Sequence, residues 1–505
     1  MDYNQQDFDN VAWDRNDEAW ENTLKSLRTN STCLAMESLA KEKCGKRATL
    51  ATPLMAGGYN MLYRMRLEET SIDDVLLRIP CPGRIQFPDE KTLAEVGTMK
   101  YIKDKTDIPV PCVYHYGLSK QNPDIGPFVI MSYIKNVGTL SEALNDPKND
   151  PDEPDILDPN IREEKLEYLY GQMAGYLLQL SQQPFSCIGS IVPTDQDSFS
   201  VVGRPISVNM NNMIRLANIP PAVLPPKDTT YKTADEWYIA LAEMHMAQLV
   251  FQHNDLISTP DDCRNKYVAR QLFLGLAKKG RLSTFGFADD NWSAQSTSQR
   301  SELSPAPSGQ DSFRLWCDDL RAGNVLLNED DGIAAVIDWE FAYVGPTQFA
   351  LDPPWWLLLD QPERWPDGID TWREVYERRL KTWLRAMEKV EERVGVNAAP
   401  SKLSIYMRES WETGRFWLNY AARKSWAFDS IYWKYLDERF FGNRGSDVQN
   451  HQLWKTRLSL LTDKERTAME PFVERKMMES KDRILIDWDP KDAKSCLAEV
   501  LFEDT

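Results

Sequence analysis

Between residues 314 and 340 the sequence reads RLWCDDLRAGNVLLNEDDGIAAVIDWE. Carboxylates stand at 318 and 319, an amide at 324 and a further carboxylate at 338. The apolar residues 325–327 and 333–337 predict two short strands joined by the turn Glu329-Asp330-Asp331-Gly332. A hairpin returns the chain to its starting end. Asn324 and Asp338 should therefore converge, with Asp319 on the loop that enters the hairpin. Three oxygen-bearing side chains meeting at one sheet end suit Mg²⁺ held with a nucleotide's phosphates.

Other elements must position that segment. Residues 48–55 predict a first strand. Gly57-Gly58 follows, and then Tyr63, Met65 and Leu67 alternate with charged residues. Alternation of period two reads as a half-buried strand. Residues 75–79, 112–117 and 128–134 complete five strands, and 89–105 places Leu93, Val96, Met99 and Ile102 at helical spacing. Residues 46–135 thus predict a small antiparallel β lobe with one helix, preceded by an acidic helical extension over 1–45. Residues 136–505 predict a mainly helical lobe, giving an α+β chain in two parts. Within it, Trp372, Tyr376, Leu380, Trp383, Met387 and Val390 stripe a helix over 369–394, with Gly395 suited to its end. The Ser-, Gln- and Pro-rich stretch 290–312 predicts a flexible loop.

Composition narrows the function classes. The 505 residues carry a net charge of −18, a poor footprint for binding nucleic acid or an anionic membrane. Mean hydropathy is −0.51, and no apolar run approaches the ~18–20 residues of a membrane span. No two of the 8 cysteines have zinc-knuckle spacing, and only 4 histidines exist. Asp2, Asp7, Asp9, Asp14, Asp17 and Glu18 leave no apolar core for a secretory signal, so a cytoplasmic protein is expected.

The combination of Asp319-x-x-x-x-Asn324, a hairpin, and Ile337-Asp338-Trp339-Glu340 resembles the catalytic and metal-binding loops of the aminoglycoside phosphotransferase family, relatives of protein kinases and choline kinases. The resemblance implies a two-lobed protein-kinase-like fold and an ATP- and Mg²⁺-dependent kinase of a small molecule. Asp319 would be catalytic base or orienter of the acceptor, and Asn324 and Asp338 the metal ligands. Gly57 and Gly58 would form the turn over the phosphates, where glycine permits a tight turn and close backbone approach. Arg78 would stand where the family usually has a phosphate-pairing lysine, with Glu95 as its ion-pair partner. Backbone near Ser132 and Tyr133 would face adenine. Adjacent side chains on an extended loop point opposite ways, so only one of Asp318 and Asp319 can face the γ-phosphate, and the spacing selects Asp319. Asp352 resembles a structural aspartate bonding backbone.

The sequence also departs from the family. Cys317 replaces a common histidine and should pack as a small apolar residue, with Asp318 and Asp319 raising its thiol pKa. Arg78 keeps the lysine's charge with a different geometry. These departures keep open a second reading, a kinase-fold protein without phosphotransfer that binds a ligand or performs different chemistry. The acceptor is not legible, though the acidic balance favours an amine or amino alcohol.

Overall fold

A computed structural model of the protein describes residues 8–68, 74–194, 198–297, 303–309, 311–395, 402–445 and 448–502. Its β lobe is a single antiparallel sheet of β1 (Ala48–Ala56), β2 (Asn60–Leu67), β3 (Val75–Pro80), β4 (Val113–Gly117) and β5 (Phe128–Ser132), in the order β1-β2-β3-β5-β4. The alternation read from the sequence is seen in β2, where Met61, Tyr63 and Met65 are fully buried. They face Leu77 and Ile79 of β3 and, from the extension, Met36 and Leu39. The extension is two helices, α1 (Asn10–Leu27) and α2 (Asn30–Cys44). The cap of α1 is fixed from far away: Asp9 accepts from Ala12 N (3.0 Å) and from Asn254 N and Nδ2 (3.1 and 2.9 Å) in the helical lobe.

The helix α3 (Pro88–Lys105) begins with proline in its first turn, carries Asp89 and Glu90 there, and ends on Lys103 and Lys105. That arrangement suits both the free N–H groups and the helix dipole. It is buried on more than one side, because the hairpin Ser190–Pro193 and Phe199–Val202 presses against it. Gly97 makes the contact possible: a Cβ there would stand 2.3 Å from Ile191 O. The close approach fixes the helix that carries Lys91 and Glu95.

The remainder is mainly helical. The predicted long helix runs Ile369–Val394 and ends on Gly395 at φ 81°, a left-handed cap that glycine adopts without strain. Its Trp383 packs on Tyr170 (ring centroids 5.6 Å) of the helix Glu163–Ser181. Among the described residues no helix is long and apolar enough to cross a membrane.

The stretch 290–312 forms neither helix nor strand over its described residues; 298–302 and 310 lie outside them. Two of its polar side chains are tied to the protein. Asp290 accepts from Gly286 N (3.1 Å) and Ser293 Oγ (2.7 Å), and Ser304 donates to Glu409 through N and Oγ. Composition shows that such residues can form loops, but not that partners elsewhere will tie them down.

His245 is fully buried, stacked near Phe428 (4.4 Å), with Nε2 donating to Ala422 O (3.1 Å). Burial, reinforced by Arg270, holds its pKa down at about 3. The unfolded chain takes up a proton near pH 6.5 that the folded one refuses, so stability falls as pH drops from about 6.5 toward 3. Between pH 7.5 and 5.5 the expected loss is about 1.4 kcal/mol. Urea midpoints at the two pH values should lie closer together in His245→Gln than in the parent. An unchanged gap would refute the assignment.

Candidate active site

The strand Phe313–Cys317 pairs antiparallel with Ala342–Pro346, setting Cys317 opposite Ala342. Between them the chain makes a short helical turn at Ala322–Asn324 and the hairpin Val325–Leu327 and Ile333–Val336. The register places Val325 opposite Val336. One step further, Ile337 N donates to Asn324 O (2.9 Å). Asn324 turns its amide nitrogen onto Asp319, at 2.7 Å from the backbone oxygen and 3.2 Å from Oδ2. Asp319, Asn324 and Asp338 are thereby gathered at one hairpin end. Asp338 adopts φ 67°, a left-handed conformation that aspartate tolerates better than most residues. Such strain is concentrated at functional sites.

The two carboxyls are pushed apart electrically. Burial raises Asp319 above its ordinary value; Arg321 opposes this, and neighbouring Asp338 adds to it. Burial works against ionised Asp338 as well, but the Arg78 guanidinium outweighs it and holds the pKa below the usual range. One carboxyl inclined to take a proton beside one that stays ionised is an acid–base division of labour.

Behind Asp338 lies a buried ionic cluster. Arg78 donates Nη1 to Glu95 (2.6 Å) and Nη2 to Asp338, with Glu340 at 3.1 Å. Lys91, wholly buried, bonds Glu340 and Asn60 Oδ1 (2.9 Å), and Asn60 Nδ2 donates to Glu340 (2.9 Å). Burial pushes Glu340 up to about 7, against the pull of Lys91. Arg78 and Lys91 thus face Glu95, Asp338 and a Glu340 that is only partly ionised near pH 7, beside a site read as binding a divalent cation. Neither Lys91 nor Asn60 stood out in the sequence. A lysine four residues before a glutamate reads as an ordinary exposed helix pair, and only the packing on α3 shows otherwise.

Several sequence-derived placements need correction. Neither Gly57 nor Gly58 has positive φ, and a Cβ on Gly58 would meet nothing within 4 Å. The turn closes through Gly57 N to Asn60 O (2.8 Å) and does not itself require glycine. The backbone N–H groups of Ser132 and Tyr133 are already taken by Cys112 O (2.9 Å) and Asp74 O (3.0 Å). Those two N–H groups are donors to neighbouring chain segments. Asp318 and Asp319 both border one cavity of about 450 Å³, but their carboxyls have different partners, that of Asp319 being Asn324 and Arg321. Asp318 Oδ1 is held by Trp316 Nε1 (2.8 Å) and Tyr343 OH (3.4 Å). Asp352 accepts from the side chains of Ser410 (2.6 Å) and Asn419 (2.9 Å) rather than from backbone. Cys317 is buried, and that burial raises its thiol well above the ordinary value, which removes it as a nucleophile.

The cavity walls were not anticipated either. They include Trp355, Tyr420, Arg423 and Trp426, together with Phe8 from the amino-terminal extension. The Phe8 ring lies 4.5 Å from that of Trp426.

Comparison with known proteins gives a family and distant relatives. Residues 215–392 match the model of the phosphotransferase enzyme family. Altered inheritance of mitochondria protein 9, mitochondrial, of Debaryomyces hansenii is 24% identical over 361 residues, 66% of this chain and 54% of that protein. Its namesake in Kluyveromyces lactis is 29% identical over 140 residues, 27% of this chain and 21% of that protein. The chain therefore spans about half the length of one curated relative and a fifth of the other. Among solved structures, macrolide 2'-phosphotransferase type I aligns at 14% identity over 83% of this chain and 99% of that one, with TM-score 0.38. A thermostable aminoglycoside phosphotransferase mutant in complex with AMP-PNP and hygromycin B aligns at 14% over 87% and 98%, with TM-score 0.37. Over residues 215–392, the segment that carries Asp319, Asn324 and Asp338, this chain matches the phosphotransferase enzyme family that its motifs resemble.

Proposed function

We propose that this protein transfers the γ-phosphoryl group of ATP to a hydroxyl of a small molecule. The observation that carries the reading is the gathering of Asp319, Asn324 and Asp338 at one hairpin end, backed by the Arg78–Glu95 ion pair. The donor set fits Mg²⁺. With its Nδ2 on Asp319, Asn324 keeps Oδ1 for a cation; Asp338 commits Oδ1 to Arg78 and is 27% exposed. Both offer hard oxygens, and Mg²⁺ commonly takes one or two such protein ligands together with substrate phosphates. When bound, the ion would neutralise charge on the transferring phosphates.

Asp319 accepts the proton of the acceptor hydroxyl. The hydroxyl oxygen bonds to the γ-phosphorus as the bond from that phosphorus to the ADP oxygen breaks, and ADP leaves. Asn324 orients Asp319 through its amide. Arg78, braced by Glu95, keeps Asp338 ionised.

The test is a nucleotide titration followed by melting temperature. A shift is expected only with ATP and Mg²⁺ together. Asp338→Ala should lose the Mg²⁺-dependent part of binding while remaining folded. Equal affinity in mutant and parent would sink the metal assignment. A parent that binds no nucleotide would leave the fold as a ligand-binding module, and Arg78's engagement with three carboxylates is the observation that favours this second reading.

A further inference from the structure

The cavity beside Asp319 contains a cation that the proposed transfer does not use. Arg423 is only 8% exposed and lines that cavity. Its guanidinium lies over the Trp316 ring at 4.1 Å and the Phe349 ring at 4.5 Å. Trp316 in turn holds Asp318, the neighbour of Asp319, so Arg423 is tied to the catalytic loop. A guanidinium carries five N–H donors, and Arg423 Nη1 is buried without a hydrogen-bond partner among the described residues. Asp318 and Asp352 act on it through their charge. Their oxygens are directed elsewhere, however: Asp318 accepts from Trp316 and Tyr343, and Asp352 from Ser410 and Asn419.

Two further residues of the cavity lining carry a buried side-chain atom without a hydrogen-bond partner among the described residues, Trp426 Nε1 and Asn212 Oδ1. The orphans are thus two donors, one of them cationic, and one neutral acceptor. The carboxylates of the lining, by contrast, each already have a partner: Asp319 has Arg321 at 3.2 Å, and Asp155 accepts from Ser141 Oγ (2.5 Å). Glu363 already accepts from Tyr420 OH (2.7 Å) and has Lys424 at 3.8 Å. Asp360 accepts from Gln361 N (2.7 Å).

We infer that the acceptor carries an anionic group, a carboxylate or a phosphate, which binds Arg423 while its hydroxyl faces Asp319. The inference rests on the phosphotransferase reading and names its substrate class. Planar guanidinium paired with carboxylate or phosphate makes two parallel charge-assisted bonds, and a stacked, immobile arginine is already oriented for them. The amine-bearing acceptor expected from net charge is the competing outcome, since Asp155, Asp360 and Glu363 also line the cavity.

The experiment fractionates a metabolite extract on anion- and cation-exchange resins at pH 7. Each fraction is offered to the protein with γ-labelled ATP and Mg²⁺. Label should pass to an acceptor that the anion exchanger retained. Arg423→Gln should raise KM for that fraction's acceptor at least tenfold, with KM for ATP moving by less than twofold, and Arg423→Lys should recover part of the loss. Melting temperatures of both variants show whether the fold survives. Phosphatase treatment of the retained fraction before assay separates the sources: lost acceptor activity indicates a phosphate, persistent activity a carboxylate. Label entering an acceptor from the flow-through or the cation exchanger overturns the inference and leaves phosphotransfer standing. No transfer from any fraction overturns the phosphotransferase reading and the inference with it. Equal acceptor KM in parent and Arg423→Gln overturns the role of Arg423 alone.

Discussion

Asp319→Asn is expected to bind ATP and Mg²⁺ as the parent does and to turn over roughly 10²–10⁴-fold more slowly, the usual range for losing a general base. The substitution keeps the side chain's size. Its remaining oxygen can still accept from Asn324 Nδ2, so the loop should hold its shape. What disappears is the carboxylate, whose pKa burial raises toward that of a better base. Asp318→Asn is the control. Trp316 and Tyr343 both donate to one Asp318 oxygen, an acceptor that asparagine retains, so a loss of less than about tenfold is expected. The measurement is phosphate transfer under saturating ATP. Should Asp318→Asn be inactive while Asp319→Asn works as fast as the parent, the roles of the two aspartates must be exchanged.

The parts of this arrangement legible in the sequence are those set by local periodicity and turn chemistry. The helix Ile369–Val394 and its glycine cap follow from apolar spacing and a single special φ. The hairpin that gathers Asn324 and Asp338 follows from two short apolar runs around Asp330-Asp331-Gly332. Other features depend on contacts between residues far apart in the chain. Lys91 meets Glu340 only because α3 is pressed between the sheet and the 190–202 hairpin. Phe8 reaches Trp426 only because Asp9 is pinned to Asn254. Alternation and helical spacing carry no information about such meetings. Which backbone groups are already bonded at a turn or a hinge is hidden for a related reason. A motif's position in a family does not say which backbone N–H groups the local sheet has already used, as at Ser132 and Tyr133.

Lys91→Met should strongly destabilise the protein. The ammonium is wholly buried, bonded to Glu340 and Asn60 and 3.7 Å from Glu95. Removing it leaves Arg78 alone among Glu95, Asp338 and Glu340. A buried charge stripped of its partner typically costs about 3–5 kcal/mol, a large share of a marginal folding free energy. Glu340 would then hold a proton at higher pH, since Lys91 is the strongest of the groups lowering its pKa. Replacing both partners should cost less than removing one, because the penalty lies in the charge left behind. In Lys91→Met with Glu340→Gln, the amide oxygen still accepts from Asn60 and Arg78. The double variant should therefore recover more than half of the lost stability, read as the midpoint of urea unfolding. A Lys91→Met protein as stable as the parent but inactive would mean that Lys91 contacts phosphate instead. Additive losses in the double variant would mean that the Lys91–Glu340 pair is not the source of the stability.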